Sequence, residues 1–271
     1  MKYFITFMFF MITTSAFAKC PDIDEMKVDN SFGVEICAMP GVKQILLDHA
    51  TSVMDKILDY DQDGLVDNQD VVDTLVKSGS VYVIFRSERQ EDEFEEAFYE
   101  DNMDYIEEVC FPLEDERDYV GFDECIEQFG TFLAVFTNEM NTGKGWDPTI
   151  EEALHLVTHA GYAQFYYDQF GQHKDSYIAK LMDQARGGYF EKSQRRYPHG
   201  SYYTYDDRSC SYSCQITEFT YWSITSLRGQ QANRKLKDIK EEWKLNTPEK
   251  MREIAPDLVA FLEDPEYKIK F

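Results

Sequence analysis

Two histidines in E-E-A-L-H-L-V-T-H (residues 151–159) have a spacing that suggests metal chemistry. His155 and His159 would share one face of a helix, because residues four apart project from the same side. A second segment, T-E-F-T-Y-W, carries Glu218 among apolar residues, where a lone acid needs a partner. The two histidines are a candidate metal site, although a structural pair of histidines would show the same spacing.

The order H-L-V-T-H-A-G-Y and then T-E-F-T-Y-W resembles the zincin metallopeptidases, in the branch whose third ligand is a glutamate on a later helix. The resemblance implies that His155 and His159 are the imidazole ligands and that Glu218 is the carboxylate ligand. The histidine ligands of zincins lie in the motif H-E-x-x-H, whose glutamate activates the metal-bound water. In this sequence the residue at the glutamate position is Leu156. An alkyl group accepts no proton, so the usual route of peptide hydrolysis is lost even if zinc binds.

The acids upstream of the histidines have an ordinary structural explanation. Asp147 or Thr149 can cap the start of the helix, and Thr149-x-x-Glu152 fits a capping box. Glu151 or Glu152 could replace the missing base, but both lie a turn before His155. This rescue of peptidase activity is the less favoured interpretation.

The segment D-Y-D-Q-D-G-L-V-D-N-Q-D (residues 59–70) places acids at positions one, three, five, nine and twelve around Gly64. Calcium takes six to eight hard oxygens, which alternate carboxylates around a sharp turn supply. Over Val42 to Gly79 the chain resembles an EF-hand, with apolar helical stripes on both sides of the loop. The resemblance implies these ligands: the side chains of Asp59, Asp61, Asp63, Asp67 and Asp70, and the backbone carbonyl of Leu65. Position twelve is aspartate where the family has glutamate, and no second loop follows, so we expect a structural calcium clip.

The chain begins with the three-part pattern of a secretory signal peptide: Lys2, an apolar run over residues 3–12, and Ala16-Phe17-Ala18. The apolar run is too short to cross a bilayer, so we expect cleavage after Ala18, no membrane span and a secreted, extracellular protein. An even number of cysteines in an exported chain favours disulfides. Their grouping suggests three local pairs: Cys20 with Cys37, Cys110 with Cys125, and Cys210 with Cys214.

The charge is strongly negative: −24 in all, and −25 after the signal peptide, which carries one lysine and no acid. This balance disfavours nucleic acid and anionic membranes as partners and favours cations. Glu88 to Glu127 contains 18 acids and two arginines, a net of −16. Phe94, Phe98, Tyr105 and Val109 recur there at near-helical spacing. We expect an acidic helix. Its charged side chains are either an ordinary solvent-exposed face or a surface that attracts cations.

The loop Y-P-H-G-S-Y-Y-T-Y-D-D (residues 197–207) is dense in groups that could reach a metal, although aromatic packing beside Cys210 would also explain it. The combination of E-E-A-L-H with Y-T-Y-D-D-x-x-C-x-Y-x-C is similar to uncharacterised secreted EF-hand proteins of marine organisms. That resemblance implies a setting but no activity.

The segments at residues 80–85 and 131–136 are apolar and β-branched or aromatic, as is typical of strands, and alternate with helical patterns. The sequence predicts an α+β fold, mostly helical, with a small sheet packed on the His-bearing helix. The expected organisation is a signal peptide at 1–18, an N-terminal region with the calcium loop at 19–79, and a zincin-like domain at 80–271.

Three functions are compatible with these patterns. The first is a secreted, acidic calcium-binding protein of an extracellular or mineral-associated matrix, whose zincin-like domain binds zinc but is no peptidase. The second is a metal-dependent hydrolase with an atypical general base. In the third, the histidines are structural and calcium is the only metal.

Overall fold

A four-stranded mixed sheet lies at the centre of the computed structural model, which describes residues 19–114, 131–143 and 145–271. In spatial order its strands are β1 (Lys27–Ser31), β2 (Val34–Ala38), β3 (Val81–Phe85) and β4 (Phe132–Phe136). The first two strands are antiparallel, and β3 is parallel to both β2 and β4. Every residue of β3 is buried, as expected for a parallel strand covered on both faces.

Helices surround the sheet, and this confirms the predicted α+β class. In chain order they are α1 (Gln44–Leu58), α2 (Gln69–Ser78), α3 (Glu88–Glu114), α4 (Pro148–Leu156), α5 (Ala163–Phe165), α6 (Tyr167–Phe170), α7 (Tyr177–Arg186), α8 (Tyr212–Leu227), α9 (Leu236–Ile239), α10 (Pro248–Ile254) and α11 (Pro256–Leu262). A π-helical segment, Val157–Tyr162, joins α4 to α5. The sheet packs on α4, which contacts both β3 and β4. Among the described residues, no helix is long and apolar enough to cross a membrane.

The N-terminal hairpin is an element that the sequence patterns did not indicate. Its second strand, β2, pairs with β3, which follows residue 79. The region before residue 80 and the region after it therefore contribute to one sheet. The predicted strands at 80–85 and 131–136 correspond to β3 and β4, each beginning one residue later than expected.

The predicted calcium segment forms a helix–loop–helix between β2 and β3. Gly64 adopts a φ of +87°, a left-handed conformation that favours glycine at the sharp turn. The side chain of Asn68 caps α2 by accepting a hydrogen bond from the Val71 amide at 3.3 Å. Gly79, with a φ of +71°, ends the same helix, as its position in the sequence predicts.

The acidic helix α3 packs on the sheet through two phenylalanines. Phe94 and Phe98 are fully buried, and their rings meet Phe132 of β4 at 5.2 and 5.8 Å between centroids. The neighbouring acids, such as Glu95 and Glu96, are exposed. The side chains of Tyr105 and Val109 lie outside the described residues, so their predicted packing stays a prediction.

Two disulfides are present among the described residues. Cys20 is bonded to Cys37 on β2, and Cys210 is bonded to Cys214 at the start of α8. Both pairs are those that the spacing suggests. The third pair, Cys110 with Cys125, falls outside the described residues.

Candidate metal centre

The helix that carries the histidines begins at a well-formed cap. Asp147 is the N-cap of α4, and its Oδ1 accepts a hydrogen bond from the Thr149 amide at 3.1 Å. The other carboxylate oxygen, Oδ2, is 2.7 Å from Nε2 of His49. Since Asp147 caps the helix, a capping box of Thr149 and Glu152 is not what starts it, and the Glu152 carboxylate lies near His155 instead.

His155 is buried, with 6% of its surface exposed, and stands between two carboxylates. Its Nδ1 is 3.6 Å from Oε2 of Glu152, and its Nε2 is 3.7 Å from Oε2 of Glu218 on α8. The edge of the ring meets Tyr221, with 5.4 Å between centroids. Nε2 has no hydrogen-bond partner although it is buried. A buried polar atom of this kind costs free energy and requires an explanation, such as a ligand that it binds.

Glu151 completes a cluster of three possible metal ligands with His155 and Glu218. One ligand atom from each residue lies within 4.8 Å of the other two. Donors about 2.1 Å from a tetrahedral metal ion are separated by about 3.4 Å, so the 3.7 Å between His155 and Glu218 fits one shared ion. Glu151 also accepts a hydrogen bond from Nε1 of Trp146 at 3.1 Å. The donor set of one imidazole and two carboxylates suits zinc and other divalent transition metals.

The electrostatics of the cluster favour a positive charge among its carboxylates. Burial raises the pKa of Glu151 to about 7; the charge of His155 opposes this shift, while Glu218 and Glu152 reinforce it. Burial also raises the pKa of Glu218. Burial alone would lower the pKa of His155, but Glu152, Glu218 and Glu151 together raise it to about 9. Three carboxylates thus surround one imidazole that is protonated at neutral pH, and a metal ion at this cluster would take the place of the proton on His155.

The predicted partner His159 lies in the π-helical segment and is held by a different set of contacts. Its Nδ1 is 2.8 Å from Oε1 of Gln172, whose amide nitrogen donates to Oγ1 of Thr217. Because that amide oxygen can only accept, we assign the ring proton to Nδ1 of His159. His159 is not part of the cluster within 4.8 Å. The structure brings the predicted ligands His155 and Glu218 together and adds Glu151, whereas the role of His159 as a ligand stays a prediction.

An open cleft beside His155 runs between β4 and α8. Its lining includes Phe132 and Leu133 on the apolar side and Glu152, His159, Gln172 and Glu218 on the polar side. Leu156, at the position where a zincin has its base, is fully buried in the core and does not line this cleft.

The loop of residues 197–207 reaches the centre through one side chain. The Tyr205 hydroxyl interacts with the Glu218 carboxylate and lowers its pKa, against the larger effect of burial, which raises it. Tyr203 is instead buried, and its hydroxyl donates to the backbone oxygen of Gln215 at 2.8 Å. His199 is exposed. The loop is mostly an aromatic-packed segment, and Tyr205 is its contribution to the site.

The calcium loop brings three of its predicted ligands together. Oxygens of Asp59, Asp61 and Asp67 lie within 4.8 Å of one another. Asp59 accepts hydrogen bonds from the amides of Asp63 and Gly64 at 3.1 and 2.8 Å, which hold the loop in a tight turn. The other predicted side-chain ligands, Asp63 and Asp70, are not part of this cluster.

The other predicted ligands make contacts outside this cluster. Oδ1 of Asp63 accepts from the Leu65 amide at 2.9 Å, and the Leu65 side chain is 71% exposed. Asp70 lies in the first turn of α2, and one of its oxygens is 3.9 Å from Nζ of Lys268. The full set of six predicted ligands therefore stays a prediction.

Two residues near the candidate metal centre were not among the predicted ligands, and helical spacing gives a signal for one of them. Glu151 precedes His155 by four residues and so shares its face, although this spacing does not show that the face meets Glu218. Tyr205 contacts Glu218 from a loop, where no periodic signal exists.

No protein-family model, no curated protein and no solved structure matches this chain. The fold and the two clusters define an α+β protein with two groups of possible metal ligands. The resemblances to EF-hands and zincins rest on the sequence motifs alone.

Proposed function

We propose that this chain is an exported calcium-binding protein whose larger part holds a second divalent metal ion, zinc, without being a peptidase. Glu151, His155 and Glu218 would be the protein ligands of that second ion. The observation that carries the proposal is Nε2 of His155, a buried atom without a hydrogen-bond partner that stands 3.7 Å from a glutamate oxygen.

The surroundings of His155 support metal binding more than a structural role. Metal-ligating histidines usually present their second ring nitrogen to a carboxylate, which fixes the ring and its proton. Glu152 occupies that position at Nδ1, at 3.6 Å. A purely structural histidine would be expected to use both nitrogens in hydrogen bonds, and Nε2 of His155 makes none.

The absence of peptidase activity follows from the residue beside the first histidine. Leu156 has an alkyl side chain. It is fully buried in the core and does not line the cleft. The proton transfer that zincins perform from this position has no acceptor here. The metal would then organise the site, or bind a ligand in the cleft, without hydrolysing peptides.

Metal analysis of the mature protein after mild dialysis tests this function. We expect about one equivalent of zinc in the wild type, and its loss in His155→Ala and in Glu218→Gln. His199→Ala is the matched control, because it removes an exposed imidazole outside the cluster. A zinc-free wild type, or zinc that persists in His155→Ala, would contradict the proposal.

A second pair of variants separates the two possible ligand sets. If Glu151 is the third ligand, Glu151→Gln loses zinc and His159→Ala retains it. If His155, His159 and Glu218 are instead the ligands, His159→Ala loses zinc and Glu151→Gln retains it. Far-ultraviolet circular dichroism of each variant checks that lost zinc does not reflect an unfolded protein.

A metal-dependent hydrolase is the alternative, and one observation favours it. Glu152 lines the open cleft together with His155 and Glu218, where it could act as an atypical base. In that case generic peptide or ester substrates would be hydrolysed by the wild type, and Glu152→Gln would lose turnover while retaining zinc. Turnover that is undetectable in the zinc-loaded wild type would exclude this alternative.

The calcium site and the acidic surface support a role in an extracellular or mineral-associated matrix. Asp59, Asp61 and Asp67 converge, and the exposed acids of α3 give the molecule a cation-attracting side. The two disulfides suit an oxidising compartment. Adsorption to calcium carbonate, compared with an unrelated protein of equal negative charge, tests the mineral role, which fails if the two adsorb equally.

A further inference from the structure

The segment of residues 267–271 crosses the open side of the calcium loop. Nζ of Lys270 is 2.7 Å from Oδ2 of Asp61 and 3.6 Å from Oδ1 of Asp67. These are two of the three aspartates whose oxygens converge. A side-chain ammonium group therefore contacts the same carboxylates that the calcium loop would offer to a metal ion.

Specific contacts hold this segment in place before the lysine and at its own backbone oxygen. The backbone oxygen of Tyr267 accepts hydrogen bonds from Nδ2 of Asn68 at 2.9 Å and from the Tyr162 hydroxyl at 3.1 Å. The backbone oxygen of Lys270 accepts one from Nε of Arg228 at 3.0 Å. Ile269, between them, packs against the hydrophobic core. Lys270 is thus delivered to the aspartates by an ordered backbone, and it is not a side chain that drifts over the surface.

We propose that Lys270 is a built-in competitor of calcium, and that calcium binding displaces it and loosens residues 268–271 from the loop. This inference rests on the proposed calcium function of residues 59–70. Calcium would need the oxygens of Asp61 and Asp67 at 2.3–2.6 Å, the distance range of its protein ligands, and those oxygens now face the ammonium group. Two cations at the same oxygens repel each other, so binding of one disfavours binding of the other.

Competition of this kind has a defined effect on affinity. The apparent dissociation constant equals the intrinsic one divided by the fraction of molecules whose site is open. If the lysine-bound form is preferred only about twofold over the open form, one third of the molecules are competent and calcium binds about threefold more weakly. Removing the ammonium group should therefore lower the apparent dissociation constant for calcium by about the same factor.

Calcium titration calorimetry of the full mature chain tests the proposal with Lys270→Met and Lys268→Met. Both variants remove one positive charge near the loop and retain an aliphatic side chain. Lys268 makes a longer contact, 3.9 Å, with Asp70, a predicted ligand outside the converging group, so its variant controls for the change in net charge and for a weaker contact with the loop. We expect Lys270→Met to bind calcium at least about threefold more tightly than the wild type, and more tightly than Lys268→Met.

Hydrogen exchange of the peptide that covers residues 266–271 gives a second readout. We expect calcium to accelerate exchange in the wild type, and Lys270→Met to exchange faster before calcium is added. Equal affinities for the two methionine variants, or calcium binding that leaves exchange unchanged, would overturn the competition while leaving the calcium site intact. Failure of all three proteins to bind calcium would instead overturn the calcium function, and the competition with it.

Discussion

Replacing Leu156 with glutamate would restore the zincin sequence H-E-x-x-H, but we expect it to destabilise the protein and not to create a peptidase. Leu156 is fully buried, so the substitution removes about 2 kcal/mol of apolar burial. The new carboxyl would also be desolvated. A rise of about three pKa units, typical of such burial, costs about 3.5 kcal/mol at pH 7, because the buried carboxyl is then mostly neutral. The total of about 5.5 kcal/mol is comparable to the whole stability of many domains.

Urea unfolding of Leu156→Glu, with Leu156→Met as the control of similar volume, measures this cost. The methionine variant should lose less than about 1.5 kcal/mol. The pH dependence has a definite sign. A buried carboxyl with a raised pKa destabilises the fold above its unfolded value of about 4.3, so the deficit of Leu156→Glu relative to the wild type should shrink as the pH falls from 7 towards 4. A Leu156→Glu protein that is as stable as Leu156→Met and hydrolyses peptides with zinc would refute the placement of this side chain in the core.

Three further substitutions probe the elements that support the two sites. Gly64→Ala should weaken calcium binding, measured by calorimetry, because a φ of +87° strains any residue with a Cβ; an unchanged affinity would mean that the turn does not persist in solution. Phe98→Ala should lower the free energy of unfolding by about 3–5 kcal/mol, whereas Met103→Ala, at an exposed position of the same helix, should change it little. Replacing Cys20 and Cys37 by serine should cost about 3 kcal/mol, since the disulfide closes a loop with a sequence separation of 17; a loss below about 1 kcal/mol would show that the unfolded chain is already constrained there.

The sequence was informative where a residue has one dominant environment. The apolar run that became β3 and the left-handed glycine at the end of α2 have few alternatives, and both were predicted. The two disulfides could also be predicted, because cysteines that are close in the sequence have few other partners within reach. Asp147, one of two candidate caps, proved to be the residue that starts α4.

The elements that escaped prediction depend on contacts between distant parts of the chain. The strand β2 is short and is stabilised by pairing with β3, which no local pattern reveals. The approach of Glu151 to His155 and Glu218 depends on how α4 faces α8, and helical periodicity indicates which residues share a face but not what that face contacts. Lys270 lies far from the aspartates in sequence and meets them through the packing of the last residues.

The place of the calcium loop in the chain gives it an influence on how the sheet assembles. It lies in the connection between β2 and β3, which are neighbouring parallel strands. Pairing them requires the ends of this long connection to meet, and the entropy lost in doing so slows the formation of parallel sheets. An ion that orders the turn would shorten the flexible length, so we expect refolding to accelerate as calcium is added. Under the proposed calcium function, the rate at which the sheet forms would then depend on the calcium concentration around the folding chain.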